Sequence, residues 1–294
     1  MITTKELGYV SSWATKVPYP GIEYSEKAAE KLVDAFNDFN KYYSNKEYDI
    51  ILSNGEQILF EILDKNICHM LGIDYKNTMG DFFAKYREEV LKIDNTITSY
   101  ELLKTIIKNI EEVLKYDHDH CGFALNYYRI MIKCSIFEKL SDFSRFNFGV
   151  INFNKEKYSE KSGTIFSGKS QKLLYVQSNE SVAPYFMMGI KNPEGNQYIE
   201  QPKYVVETLF APSKVNDFFN EQEVVIPTQI LITTEEKMVK AEAKPSEKIA
   251  LLNQYKSIIN QYNLPNKLNI YGDYESILVN QEQIRRRIKS NNNI

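Results

Sequence analysis

The chain has 294 residues, 43% of them apolar, and a formal net charge of −3, which is enough sequence for one large domain or two ordinary ones with a substantial core. A pI near 5.8 excludes a general attraction to nucleic acid, so any phosphate contact must come from a local basic face. No apolar run reaches the length that spans a bilayer and Met1 to Glu6 lack a basic-then-apolar signal, so the expectation is a cytoplasmic protein with no membrane partner.

Residues 1–24 contain Pro18, Pro20 and Gly21 and read as an irregular lead-in. Lys27 to Tyr43 carry apolar residues at helical spacing. Tyr48 to Leu52 and Gln57 to Leu63 read as strands, and Asn54-Gly55 between them predicts a type I′ turn. Beyond this hairpin lies the run Ile67-Cys68-His69-Met70-Leu71-Gly72-Ile73. Thr78 to Lys92, Ser99 to Tyr116 and Gly122 to Phe143 then form a predicted helical block over about residues 76–146.

From Phe148 the period changes to short strand-like runs: Phe148 to Phe153, Thr164 to Phe166, Lys172 to Gln177, Tyr185 to Ile190, Tyr204 to Phe210 and Val224 to Thr233. Their spacing predicts a curved antiparallel sheet. The tail returns to helix at Ser246 to Tyr262, behind Pro245, and at Tyr274 to Lys289. Arg285-Arg286-Arg287-Ile288-Lys289 reads as a solvated helix end. The expected class is α+β: a domain over residues 25–234 with the helical segment inside it, followed by a helical extension over 235–294.

Gly163 to Ser170 spells Gly-x4-Gly-Lys-Ser, but a phosphate-cradling P-loop needs a strand leading in and a helix leading out. Here polar residues 155–162 precede it and the strand-like Lys172 to Val176 follows. The segment reads as a hairpin loop in which Ser167, Lys169 and Ser170 are placed to contact a phosphate.

Asp117-His118-Asp119-His120-Cys121-Gly122 copies the start of a calcium loop but has Tyr128 where the bidentate Glu belongs. It reads as a polar connection between helices, with a transition-metal site as the sharper alternative. Cys68, Cys121 and Cys134 are irregularly spaced and predict neither disulfides nor a thiolate zinc site. No metal and no cofactor is called for.

His69 is held by ordered backbone, and an imidazole can give or take a proton near neutrality. Such a histidine is as readily a core residue bonded to backbone. Arg129 and Lys133 lie one turn apart on a helix, so their cationic ends can converge.

The order of these pieces resembles a family of phage- and mobile-element-associated predicted nucleases, the fourth phage class of the barnase, EndoU, colicin and RelE-like (BECR) superfamily. The resemblance runs from about Tyr48 to Thr233. Asn66 to Ile73 is similar to the family's aromatic-x-His-Leu-x-Gly-apolar stretch, and Arg129 to Leu140 to its basic helix. Val150 to Asn154 and Leu173 to Tyr175 are similar to its strands, and Val206-Glu207-Thr208-Leu209-Phe210 to its Pro-Glu-Thr-Phe-Phe stretch. Val206 and Leu209 depart from that pattern, and the insertion around Gly163 is foreign to it.

The resemblance implies a curved BECR-type sheet and metal-independent cleavage of RNA, with tRNA among the candidates. It also implies roles for this chain's residues: His69 in proton transfer, Lys133 or Arg129 against developing charge, Thr208 and Ser167 as hydroxyl donors, and Glu207 as second acid or base. The alternative is a non-catalytic protein of host–phage conflict, an anti-defence or host-takeover factor that binds a protein partner through its tyrosine-rich surface.

Overall fold

The computed structural model describes residues 22–262 apart from 72, 74–77, 94–95, 141–142, 163–167, 181–182, 194–202, 213–214 and 235–237. The first helix, α1 (Ile22–Tyr42), buries Ala28, Ala29, Leu32, Ala35, Phe36 and Phe39, the three- and four-residue spacing that makes one apolar face. β1 (Lys46–Leu52) and β2 (Gln57–Ile62) follow as a hairpin whose buried residues alternate: Tyr48, Ile50 and Leu52 on one strand, Ile58, Phe60 and Ile62 on the other.

The hairpin tip differs from the expected type I′ turn. Only Gly55 has a positive φ, 84°, and the Gly55 N–H bonds to the Leu52 carbonyl while the Leu52 N–H bonds to that of Glu56. This is a three-residue loop ending in a left-handed glycine. Asn54 contributes its side chain, whose Oδ1 accepts from the Glu56 N–H at 3.0 Å.

The helical block comprises α2 (Asn66–Leu71), α3 (Thr78–Tyr86) running into a π-helical turn at Arg87–Leu91, α4 (Ser99–Lys108), α5 (Ile110–His120), α6 (Gly122–Leu125) and α7 (Tyr127–Leu140). A capping box at Thr98 and Glu101 starts α4. Lys31 of α1 pairs with Glu138 of α7 at 2.8 Å, fastening the two helices side by side.

The remaining strands are β3 (Phe148–Asn152), β4 (Lys172–Glu180), β5 (Ala183–Lys191), β6 (Lys203–Phe210), β7 (Glu223–Val225), β8 (Pro227–Thr233) and β9 (Met238–Glu242). All nine strands form one sheet in the order β7-β3-β4-β5-β6-β2-β1-β8-β9. Every pair is antiparallel except β2 with β6, which meet over Leu59–Glu61 and Lys203–Val205.

The sheet curls into a half-barrel. Only Ile226 separates β7, which pairs with β3, from β8, which pairs with β1, so one continuous segment serves both ends of the curl. The expected single run Val224 to Thr233 is thus divided between two partners.

The inner face carries the main core. Phe143 meets Tyr43, Tyr48, Phe60 and Phe148 edge-on at centroid distances between 4.9 and 5.8 Å, the geometry favoured by ring quadrupoles. The outer face is covered by two short helices that periodicity did not predict, α8 (Lys155–Ser162) and α9 (Val215–Phe219). Their Tyr158, Phe218 and Phe219 pack with Ile151, Leu173, Tyr175 and Met187.

Strand β9 extends the sheet beyond residue 234, where the sequence suggested a wholly helical extension; α10 (Pro245–Tyr262) begins with proline as expected. A helix leads toward the Gly163 segment and a strand leads away from it, the reverse of a P-loop. The expected strand Thr164 to Phe166, helix Tyr274 to Lys289 and basic run Arg285 to Lys289 lie outside the described residues.

Candidate functional site

Two polar clusters sit on opposite faces of the curled sheet. The first is centred on a bulge in β6. Gly189 pairs with Thr208 but the next residue, Ile190, pairs with Val206, leaving Glu207 as the extra residue. The bulge turns Glu207 and Thr208 to the outer face together. There the Ser170 hydroxyl donates to Glu207 Oε2 at 2.5 Å, the Lys169 N–H donates to Oε1 at 2.6 Å, and Lys191 Nζ lies 3.9 Å from Oε1.

Gly189 makes this convergence possible. A Cβ there would stand 2.2 Å from Ser170 Oγ and 3.1 Å from Thr208 Cγ2, so only glycine lets the Ser170 loop lie against the strand. Glu207, Thr208, Lys169 and Ser170, all singled out from sequence, are thereby brought to one place. Lys191 was missed, although its position two residues after the required glycine, on the same face of an otherwise apolar strand, is a readable signal. Ser167 lies outside the described residues.

His69 sits in α2, half-buried, between the fully buried Cys68 and Met70. Lys133 reaches from α7 and donates to the carbonyls of Met70, at 3.0 Å, and Leu209, at 2.9 Å. Each acceptor has a reason to be open: Met70 lies in the last turn of α2, and β6 pairs with β2 only up to Val205, so the second half of β6, with Leu209, has α2 on that side instead of a strand. Lys133 therefore staples the residue after His69 to the residue after Thr208. Arg129 precedes it by one turn of α7; its side chain is outside the described part.

The second cluster escaped the sequence reading. Phe148 and Val150 on β3, Leu174 and Val176 on β4, and Val225 on β7 face the main core. The two-residue strand period places Asn152, Lys172 and Glu223 on that same inner face, at one end of the curl. The three are direct neighbours, with Asn152 paired to Lys172 and to Glu223. Lys172, 7% exposed, donates to Glu56 Oε1 and, at 2.8 Å, to Asn152 Oδ1. The Asn152 amide donates to Glu223 Oε2 at 2.6 Å and to Glu56 Oε2 at 3.3 Å. Glu56 comes from the β1–β2 turn, three strands away from β4 along the sheet, so the network spans the open end of the curl. Tyr204 completes it, with its ring centroid 6.0 Å from Lys172 Nζ. Burial first, and the charge of Glu56 second, hold the Tyr204 phenol above its ordinary pKa.

The Asp117 to Cys121 run is helical up to His120 rather than an open connection. Asp117 is fully buried and its Oδ1 accepts the Phe123 N–H at 2.9 Å, tying α5 to α6 across Cys121, which has φ 57°. His120 stacks on Tyr116 at 3.8 Å, and Tyr116 donates to Glu89 at 2.6 Å. Among the described residues no group of three or more His, Cys, Asp or Glu is arranged to hold a metal ion.

The fold and the two clusters define an α+β protein with a half-barrel sheet, a charged bulge outside and a carboxylate–lysine network inside one end. No family model, curated protein or solved structure matches the chain. Among the described residues no helix is long and apolar enough to cross a membrane.

Proposed function

We propose that the chain is a metal-independent endoribonuclease-like protein of a phage or mobile element, built on a BECR-type sheet and acting on cytoplasmic RNA in host–phage conflict. The observation that supports this reading is the gathering of Glu207, Thr208, Ser170 and Lys169 at one bulge, with Lys191 beside them. The Lys191 ammonium, 3.9 Å from that carboxylate and with a third of its side chain exposed, supplies the positive charge that a phosphodiester requires.

The chemistry needs no metal. The 2′-hydroxyl oxygen attacks the adjacent phosphorus and gives its proton to a base, while the bond to the 5′-oxygen breaks and that oxygen takes a proton from an acid. The products are a 2′,3′-cyclic phosphate and a free 5′-hydroxyl. In this reading Glu207 and His69 divide the two proton transfers. Lys169 and Lys191 neutralise charge on the phosphorus oxygens, and Thr208 and Ser170 donate hydrogen bonds to them. Lys133 is a positioning residue, since its ammonium is engaged by the Met70 and Leu209 carbonyls.

The test is incubation of the purified chain with total RNA in excess EDTA beside His69→Ala. Cleavage that survives chelation and is lost in the variant is the expected result; RNA left intact by the parent chain contradicts the reading.

A second reading, a non-catalytic factor that binds a protein partner, is favoured by the edge strand β9. Its Met238 and Val239 are 65% and 42% exposed, and a strand that among the described residues has no partner on its outer side is a template for strand addition. Stable capture of a partner by a chain inert toward RNA supports that reading instead.

A further inference from the structure

Donors and acceptors in the inner network do not balance. Lys172 directs protons to Glu56 and Asn152 and lies over the Tyr204 ring. Both amide protons of Asn152 are engaged by Glu56 and Glu223. The donors are therefore committed, whereas each carboxylate has about four lone-pair sites and only part of that capacity is used among the described residues. Among the described residues two carboxylates against one ammonium also leave a negative surplus, at a place where burial of Lys172 lowers the local dielectric and strengthens interaction with charge. An anionic ligand is repelled there. A ligand that brings hydrogen-bond donors and positive charge is attracted, and the half-buried Tyr204 ring supplies a face that favours cations.

The site is accessible as well as built. Glu56 keeps a third of its side chain exposed beside a Lys172 side chain that is 9% exposed, so the network has a solvent side and a sealed side. Its residues come from five segments: the β1–β2 turn, β3, β4, β6 and β7. Such convergence fixes geometry better than a surface loop does.

We propose that the open end of the half-barrel is a recognition site for an alkylammonium or guanidinium group, held by Glu223 and Glu56 against Tyr204. The group arrives on a free small amine or on the lysine or arginine side chain of a protein partner. The site is separate from the bulge and stands whether or not the chain cleaves RNA.

The test is titration of the full chain with agmatine and, separately, with a capped arginine-containing peptide, followed by the NMR shifts of the Asn152 side-chain amide and the Lys172 ammonium. A neutral alkylurea serves as control. Saturable shifts with either cationic probe and none with the urea are expected; agmatine alone identifies a small-molecule source, and the peptide alone a side chain. Glu223→Gln is expected to weaken binding about tenfold, the scale of one charge-assisted hydrogen bond. Where that variant fails to fold, Tyr204→Leu replaces it, with an expected loss of about threefold. Absence of saturable shifts with both probes, or a folded variant that binds as tightly as the parent, overturns the proposal.

Discussion

The two polar clusters are built from the same ingredients and differ in how their charges are balanced. At the outer bulge one carboxylate, Glu207, faces the Lys191 ammonium and the Lys169 N–H; at the inner end two carboxylates, Glu56 and Glu223, surround Lys172 and Asn152. The bulge carboxylate takes its short hydrogen bonds from neutral donors, Ser170 Oγ and a backbone N–H, while the Lys191 ammonium stands off at 3.9 Å. The inner lysine is largely spent, being almost sealed between its partners. A nearly neutral composition thus conceals two different local balances, one carboxylate to one ammonium outside and two to one inside, and net charge alone says nothing about either.

The largest expected effect of breaking this contrast is on stability at the inner end. Lys172→Met removes the donor shared by Glu56 and Asn152 and leaves both short of a partner, with an expected loss of roughly 1–3 kcal/mol in chemical denaturation. The bulge variant Lys191→Gln, by comparison, should leave the unfolding free energy within about 0.5 kcal/mol of the parent, as for other surface changes. Equal losses in the two variants would mean that the sealed and open lysines do not differ as described.

Backbone closeness comes next. Gly149→Ala places a methyl 2.4 Å from the Tyr175 ring on the outer face, and overpacking of this kind costs about 1–3 kcal/mol. Thermal unfolding measures it, and a small residual loss in a Gly149→Ala, Tyr175→Leu double variant would locate the cost in that contact.

Lys191→Gln tests the charge at the bulge itself. RNA affinity should fall modestly, and the salt dependence should lose about 0.7 from its log–log slope, one phosphate contact on a single strand. An unchanged slope would remove Lys191 from the phosphate path.

The smallest expected effect is a pH dependence away from both clusters. The hydrogen bond from Lys31, the largest cause, lowers the Glu138 pKa below its ordinary 4.5 despite the opposing effect of burial. A depressed carboxylate adds stability above the unfolded pKa and loses it as pH falls through the folded value. Because Glu138 is 55% exposed, solvent screening keeps the contribution to about 0.5 kcal/mol. Parent and Glu138→Gln should differ near neutrality and converge under acid; a difference that persists at low pH would assign it to another group.

Much of the architecture was legible. The apolar spacing of Ala28 through Phe39 reads as α1, and the alternation in Tyr48, Ile50 and Leu52 reads as a strand, because those periods report burial on one face. Helices α8 and α9 were not legible because each is short and contributes only a few aromatic anchors, Tyr158 in one and Phe218 with Phe219 in the other. Strand β9 was hidden by its edge position, where exposed Met238 and Glu242 give no alternation.

The sites divide in the same way. Glu207, Thr208, Lys169 and Ser170 are near enough in kind to be suspected from sequence, but their meeting depends on a bulge and on Gly189, and a one-residue shift in pairing has no local signature. The inner network leaves a trace only in retrospect: Phe148-x-Val150-x-Asn152, Lys172-x-Leu174-x-Val176 and Glu223-x-Val225 each turn polar at one end of an inward-facing row. Aligning those ends requires the register, and Glu56 requires the curl.

The most direct test of the account is cleavage of a defined RNA and its fully 2′-deoxy counterpart in excess EDTA, by the parent chain and by Glu207→Gln. The account predicts that the RNA is cut to 2′,3′-cyclic phosphate ends, that the deoxy strand stays intact, and that Glu207→Gln is slower by about a hundredfold. An intact RNA, or a variant that cuts as fast as the parent, would contradict it.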